Sequence, residues 1–214
     1  MTTITMPRPW DEAPRTIFTV LGEDNVRAVG GCVRDALLGR TGGDIDFATT
    51  LLPDEVTAVL EKAGIAVKPT GLLHGTVTAI LKGKGYEITT LRRDVATDGR
   101  RAVVAHTKDW AEDAQRRDFT VNALYADAGG RIYDGTGEGV ADLEAKRLRF
   151  IGVAEDRIKE DFLRILRLFR FTAQLGFSPD QEAMDASTRQ AQGLARLSAE
   201  RVTEEWLKLL HSRY

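Results

Sequence analysis

Apolar positions along this chain change texture near Gly152. Before it, short runs rich in Val, Ile and Thr alternate with helical stretches, the pattern of a mixed sheet with helices on one side. From Ala154 onward the apolar spacing is helical throughout. The pattern therefore predicts an α+β fold that continues into an all-helical segment. Residues 26–29 form an apolar run before the glycine pair Gly30 and Gly31, and 33–38 carry a short helical pattern. Residues 53–63 read as a helix opened by Pro53 and closed by Gly64. Strands are expected at 65–69, 76–82 and 86–91, the last two joined by a Gly83-Lys84-Gly85 turn. In the second half, Phe162, Leu163, Ile165, Leu166, Phe169 and Ala173 make a wide stripe along one helix over 160–175, stopped by Gly176. A final helix starts after Ser198 and runs through Leu210. There is no internal repeat and no low-complexity linker.

Composition narrows the class. The chain has 214 residues, 43% hydrophobic and 29% charged, enough for one domain or two small ones with a real core. No apolar run is long enough to span a bilayer. The opening MTTITMPRPWDEAPR lacks the apolar core of a secretory signal, and the lone Cys32 cannot form an internal disulfide, so a cytoplasmic, soluble protein is expected. Cys32 fits as a small packing residue after the glycine pair. A net charge of −2 argues against non-specific coating of nucleic acid. Any RNA affinity would come from local clusters: Arg92, Arg93, Arg100, Arg101, Arg116 and Arg117, then Arg164, Arg167 and Arg170. Arg167 and Arg170, three apart, fit a solvated helix face equally well.

The chemistry concentrates in GGCVRDALLGRTGGDIDFATT. Asp44 and Asp46 flank one isoleucine, so on a strand both face the same side and can hold a divalent metal. Gly30 and Gly31 leave bare amides at a helix start where phosphate oxygens fit, with Arg34 just beyond. Singly, an Asp-x-Asp is commonly a strand end and a Gly-Gly a turn; their order and nearness favour a nucleoside triphosphate held against a metal. Glu87, in a neighbouring strand pattern, supplies a third carboxylate if the two strands pair. Arg117, Asp118 and Asn122 put a phosphate-binding cation, a hydroxyl acceptor and an amide on one turn, or else Asp118 caps a helix with Phe119, Val121 and Leu124 in the core. Glu160 and Arg164 at i,i+4 fit a helix salt bridge. His74, His106 and His211 are scattered, and no Ser-His-Asp or zinc-ligand spacing competes.

The ordered set GGCVRDALLGR, DIDFATT, HGTVTAIL, YEITTLRRD, DGRR, RRDFTVNALYAD, YDGTGEGVADLEAKRLRFIG and EDFLRILRLFRF resembles the head and neck of class II tRNA nucleotidyltransferases. These are CCA-adding enzymes of the DNA polymerase beta-like superfamily, which also holds bacterial poly(A) polymerases. The resemblance implies a polymerase beta-like nucleotidyltransferase head over 1–152 and a helical neck over 153–214. It implies Mg2+ on Asp44 and Asp46, with Glu87 as a further catalytic carboxylate. Nucleotide contacts fall on Gly30, Gly31, Arg34, Arg117, Asp118 and Asn122, the RRD motif reading the ribose 2′-hydroxyl. Glu160, Asp161 and Arg164 then act as an amino-acid template for CTP or ATP, and Arg167 and Arg170 contact RNA. Arg donates in a fixed fork and Asp accepts from an exocyclic amine, which suits cytosine.

Further implications concern product and partners. The charged stretch 92–111 resembles the flexible loop that switches specificity from CTP to ATP, and Asp134-Gly135 a hinge between head and neck. The partners implied are the tRNA 3′ end, CTP and ATP, with no membrane. The alternatives are a poly(A) polymerase or terminal A-adding enzyme, a non-catalytic RNA-binding fragment and, more remotely, a metal-dependent nuclease. Bacterial relatives continue into a body and tail that grip tRNA, whereas this chain stops at Tyr214. The expectation is weaker, less selective RNA binding, or completion by a homodimer or second chain on an apolar face of Leu194, Leu197, Val202, Trp206 and Leu209.

Overall fold

The computed structural model describes residues 4–6, 10–71, 75–97 and 102–211, so His74, Arg100 and Arg101 lie outside the described residues. Helix α1 (Glu12–Leu21) leads into β1 (Val26–Val29), α2 (Gly31–Leu37), β2 (Asp46–Thr49) and α3 (Pro53–Lys62). Next come β3 (Ala66–Gly71), β4 (Thr76–Leu81), β5 (Lys84–Thr90), β6 (Arg92–Thr97) and β7 (Ala102–His106). Helix α4 (Trp110–Gln115), a 3-10 turn (Thr120–Asn122), β8 (Leu124–Ala126), β9 (Ile132–Asp134) and α5 (Gly139–Glu144) follow. The remainder is β10 (Arg147–Leu148), α6 (Ala154–Glu160), α7 (Leu163–Leu175), β11 (Ser178–Pro179), α8 (Gln181–Arg189), a 3-10 segment (Ala191–Arg196) and α9 (Ala199–Leu210).

The main sheet runs β3-β4-β5-β2-β1-β8-β9 and is mixed, because β2 and β5 pair in parallel while the other neighbours are antiparallel. Side chains alternate across a strand, so each strand serves two faces. Val26, Ala28 and Phe47 join Ile17 and Phe18 of α1 and Val56 and Leu60 of α3 in one core. An aromatic run, Trp10 to Phe18 to Phe47 to Tyr86, crosses it with centroids 5.6, 5.3 and 6.4 Å apart. On the other face Val29, Ala48 and Tyr125 pack with Leu91 and Ala114. Burying each large side chain contributes about 1.5–3 kcal/mol, and here both faces draw on it. Among the described residues no helix is long and apolar enough to cross a membrane.

The helices dock on the sheet through Phe119, whose ring stacks on Phe150 at 4.7 Å and meets Phe171 of α7 edge-on at 5.6 Å. A short parallel pair, Arg147 with Ser178 and Leu148 with Pro179, fastens the same seam. That pair corrects the expectation of helix throughout after Ala154. The predicted helix over 160–175 is also two helices: Asp161 is extended, at φ −157° and ψ 106°, and breaks α6 from α7. Gly176 ends α7 in the left-handed conformation, as its position suggested. The β4–β5 turn is Lys82-Gly83 rather than Gly83 to Gly85, since Leu81 pairs with Lys84 and both turn residues have positive φ. The charged stretch after Leu91, read as a loop, forms the antiparallel ribbon β6–β7 and helix α4.

Candidate active site

Strand register builds the acidic part of the site. Phe47 of β2 lies opposite Ile88 of β5, and both are core residues. One residue earlier on each strand, Asp46 and Glu87 point away from that core and face a cavity of about 800 Å³. The pairing needed for Glu87 to join the aspartates is therefore present. Asp46 opens to solvent, yet surrounding protein bulk, then the charges of Glu87 and Asp44, raise its carboxyl above the usual range against the pull of Arg117. Asp44 stands in the coil before β2 rather than on the strand, and Lys84 reaches it at 3.6 Å. Among the described residues no three His, Cys, Asp or Glu side chains form a group able to hold a metal ion.

The glycine pair splits into two roles. Gly30 has φ 73° and donates its amide to the Leu124 carbonyl at 3.0 Å, so that N–H is not open to a phosphate. Its need for glycine is conformational. Gly31 and Cys32 open α2 on the cavity wall. The Cys32 thiol lies 3.3 Å from the Val29 carbonyl, and burial pushes it up to about 11, which suits packing rather than reactivity.

Arg34 is buried, pairs with Asp35 at 2.9 Å and donates to Asn122 Oδ1 at 2.6 Å. Asn122 in turn donates to Asp118 Oδ1 at 3.0 Å, which also accepts from the Phe119 amide at 2.8 Å. Asp118 does not cap a helix; it precedes the 3-10 turn and anchors a network. Burial would raise its carboxyl, but Arg167, the Asn122 amide and the Phe119 N–H hold it well below the ordinary range. Arg167 extends the network to within 3.7 Å of Glu205, and Arg170 closes on Glu205 at 2.5 Å. Arg167 and Arg170 thus sit on the cavity wall in internal ion pairs, not on a solvated helix face.

A second network stands behind Arg116 and Arg117. Asp113, on α4, accepts from Arg116 Nε at 2.8 Å, Arg117 Nη2 at 2.9 Å, the Tyr125 hydroxyl at 2.8 Å and the Arg92 amide at 3.1 Å. Burial opposes its ionisation, yet Arg117 and Arg116 bring its carboxyl down to about 2. Two guanidinium groups are thereby fixed at the cavity beside the acids.

Across the cavity, Arg164 Nη1 donates to Glu160 at 2.6 Å, the i,i+4 pair its spacing allowed, and to the Arg157 carbonyl at 2.7 Å. Asp161 accepts from the Leu163 amide at 3.1 Å and from Arg201 at 2.8 Å. Asp161 and Arg164 both line the cavity, whereas His106 and His211 stay away from it. Sequence reading missed Asp113, Tyr125, Arg201 and Glu205. Only Asp113 left a local signal, three and four residues before Arg116 and Arg117 on a helix. On α9, Trp206, Leu207 and Leu210 are the exposed apolar residues, while Leu194 and Leu197 pack against the core.

A mixed sheet thus presents carboxylates to a cavity walled by arginines. The chain belongs to the poly A polymerase head domain family, which it matches over residues 26–149. Residues 176–214 match a second family, described as the probable RNA and SrmB-binding site of polymerase A. The mitochondrial CCA tRNA nucleotidyltransferase 1 of Homo sapiens is 46% identical over 189 residues, covering 86% of this chain and 43% of that protein. The CCA-adding enzyme of Streptococcus pyogenes serotype M2 is 42% identical over 214 residues, covering 98% and 52%. The crystal structure of the Bacillus stearothermophilus CCA-adding enzyme in complex with CTP superposes with a TM-score of 0.84 at 39% identity, covering 94% of this chain and 48% of that one. The chain spans about half the length of the curated relatives it matches.

Proposed function

We propose that this chain carries the catalytic centre of an enzyme that adds CCA to the tRNA 3′ end from CTP and ATP, without a nucleic-acid template, releasing pyrophosphate. The observation that carries it is one cavity bringing Asp46 and Glu87 together with Arg117, Asp161 and Arg164. Residues 1–152 are the catalytic head and 153–214 the neck in this reading, and the location is cytoplasmic.

The acids fit Mg2+, a hard cation usually held by one or two carboxylates plus substrate phosphates, because desolvation and then the charges of Glu87 and Asp44 raise Asp46, and a divalent charge offsets both. Asp46 and Asp44 would hold it, with Glu87 alongside. Bound there, it supplies positive charge to the leaving pyrophosphate and favours loss of the proton from the attacking hydroxyl. The chain's own groups position and select. Arg117, held by Asp113 and Tyr125, meets phosphate or ribose oxygens, with Gly31 and Arg34 on the same wall. Asp118 and Asn122 shape the ribose pocket by fixing Arg34 and Arg167. Asp161 accepts from the exocyclic amine of the base, and Arg164 donates with the N–H groups not given to Glu160, Arg157 and the Arg116 carbonyl. RNA contact by Arg167 and Arg170 belongs to the same proposal, Arg167 being the more open of the two.

The test supplies Mg2+, CTP and ATP, separately and together, to tRNA transcripts ending before the first added cytidine or after one or two. Addition of two C and one A, then arrest, supports the proposal; absence of C and A incorporation on all three overturns it. The family match favours a poly(A) polymerase as second reading. Incorporation of A alone, or a long A tail, selects it.

A further inference from the structure

We infer that Arg201, on α9, is a positioning residue for nucleobase selection: one of its N–H groups fixes the Asp161 carboxylate as an acceptor while another is held ready for the base. The inference rests on the nucleotide-selecting role of Asp161 proposed above.

Asp161 lies in the extended break between α6 and α7, where no helix turn restrains its side chain. Its two oxygens are held from two directions, Oδ1 by the Leu163 amide at 3.1 Å and Oδ2 by Arg201 Nη2 at 2.8 Å. The first bond is local and survives most changes around it. The second comes from 40 residues away and sets the direction in which the carboxylate presents its remaining lone pairs.

The other end of the same guanidinium supplies an independent observation. Arg201 Nη1 is buried without a hydrogen-bond partner among the described residues, although Arg201 lines the cavity. A buried donor left unpaired costs about 1–3 kcal/mol, so such groups are kept where an acceptor arrives. A cytosine ring offers both partners at once. Its amine donates to the fixed Asp161, and its ring nitrogen and carbonyl accept. Uracil carries a carbonyl in place of the amine and sets it against the carboxylate lone pairs. A site built to hydrogen-bond one group rejects an analogue lacking it far more strongly than a loose pocket does. That rejection requires Asp161 to stay in place, which Arg201 ensures.

The experiment measures equilibrium binding of CTP and of UTP to the wild-type chain, Arg201→Ala, Arg201→Met and Arg201→Lys, with thermal melting of each. Wild type binds CTP in preference to UTP. Arg201→Ala narrows the CTP:UTP ratio by about tenfold or more, mainly through weaker CTP, with UTP affinity changing less than about threefold. Arg201→Lys recovers part of the ratio, since an ammonium still reaches Asp161 without the fork. Arg201→Met keeps the apolar stem and replaces the alanine variant if that one melts early. An unchanged ratio, or equal weakening of both nucleotides, overturns the inference while leaving the site's assignment intact. A wild-type chain without preference for CTP overturns both.

Discussion

Nε and Nη2 of Arg167 converge on one oxygen of Asp118, at 2.8 and 2.5 Å, and so join α7 to the turn that carries Asn122. Asp118 is buried, and its other oxygen already accepts from Phe119 and Asn122. The carboxylate is fully engaged by the protein, a structural tie as much as a substrate contact. Asp118→Asn removes the carboxylate hydrogen-bonded to Arg167, leaving Glu205 at 3.7 Å as a weaker ion-pair partner, and is expected to cost about 3 kcal/mol, the lower end for breaking a buried pair. Urea unfolding checks this. Replacing both residues, with Arg167→Met added, should recover part of the loss; strict additivity would mean the two are uncoupled.

Asp113 carries an acid-stability signature. Its carboxyl titrates near about 2 in the fold, against about 3.9 in an unfolded chain. Because the folded value is depressed, its contribution is fully present above the unfolded value and is lost as pH falls through about 2. The stability gap between wild type and Asp113→Asn should be constant above about pH 5 and shrink steadily toward pH 2. Urea midpoints across that range decide it, a gap independent of pH being the contrary result.

Asp46 has the opposite sign. Its raised carboxyl means that the ionised form is disfavoured by the fold, through desolvation by the surrounding protein and then the charges of Glu87 and Asp44. At pH 7 without metal, Asp46→Asn should melt no lower than wild type, and slightly higher, while nucleotide incorporation falls by about a hundredfold or more. A site that must be preorganised for a cation stores this kind of repulsion. Added Mg2+ should raise the melting temperature of wild type and leave that of Asp46→Asn nearly unchanged. Equal shifts in the two proteins would remove Asp46 from the proposed metal site.

The acids were legible because sheet parity is a local rule: Asp46 and Glu87 alternate with buried Phe47 and Ile88, and pairing those two core residues aligns the acids. The break at Asp161 was hidden. Ile158, Phe162, Ile165 and Leu168 keep a helical spacing straight through it and are all buried, so the stripe looks continuous. What sets the break is the Asp161 side chain on the Leu163 amide and Arg201 arriving from α9, a contact that periodicity does not encode. The ribbon β6–β7 was obscured for another reason, since charges along RRDVATDGRR mask the alternation of a two-stranded element. Glu205 drew no reading from the sequence, and its burial against Arg170 is what brings it into the network.

That break can be tested from behind. Gly193, in the 3-10 segment before α9, packs so closely on Phe162 that an added Cβ would fall 2.0 Å from the ring. Phe162 follows Asp161 and caps the N-terminus of α7, so a shifted ring cannot leave the carboxylate where it is. Gly193→Ala should therefore cost about 2–3 kcal/mol through overpacking. It should also reduce discrimination between CTP and UTP, although Gly193 touches no nucleotide group in the proposed site. Trimming the ring in Gly193→Ala with Phe162→Leu makes room for the new methyl and should return part of the stability. A Gly193→Ala protein with wild-type stability would show that the ring moves freely, and the break would then depend on Asp161 and Arg201 alone.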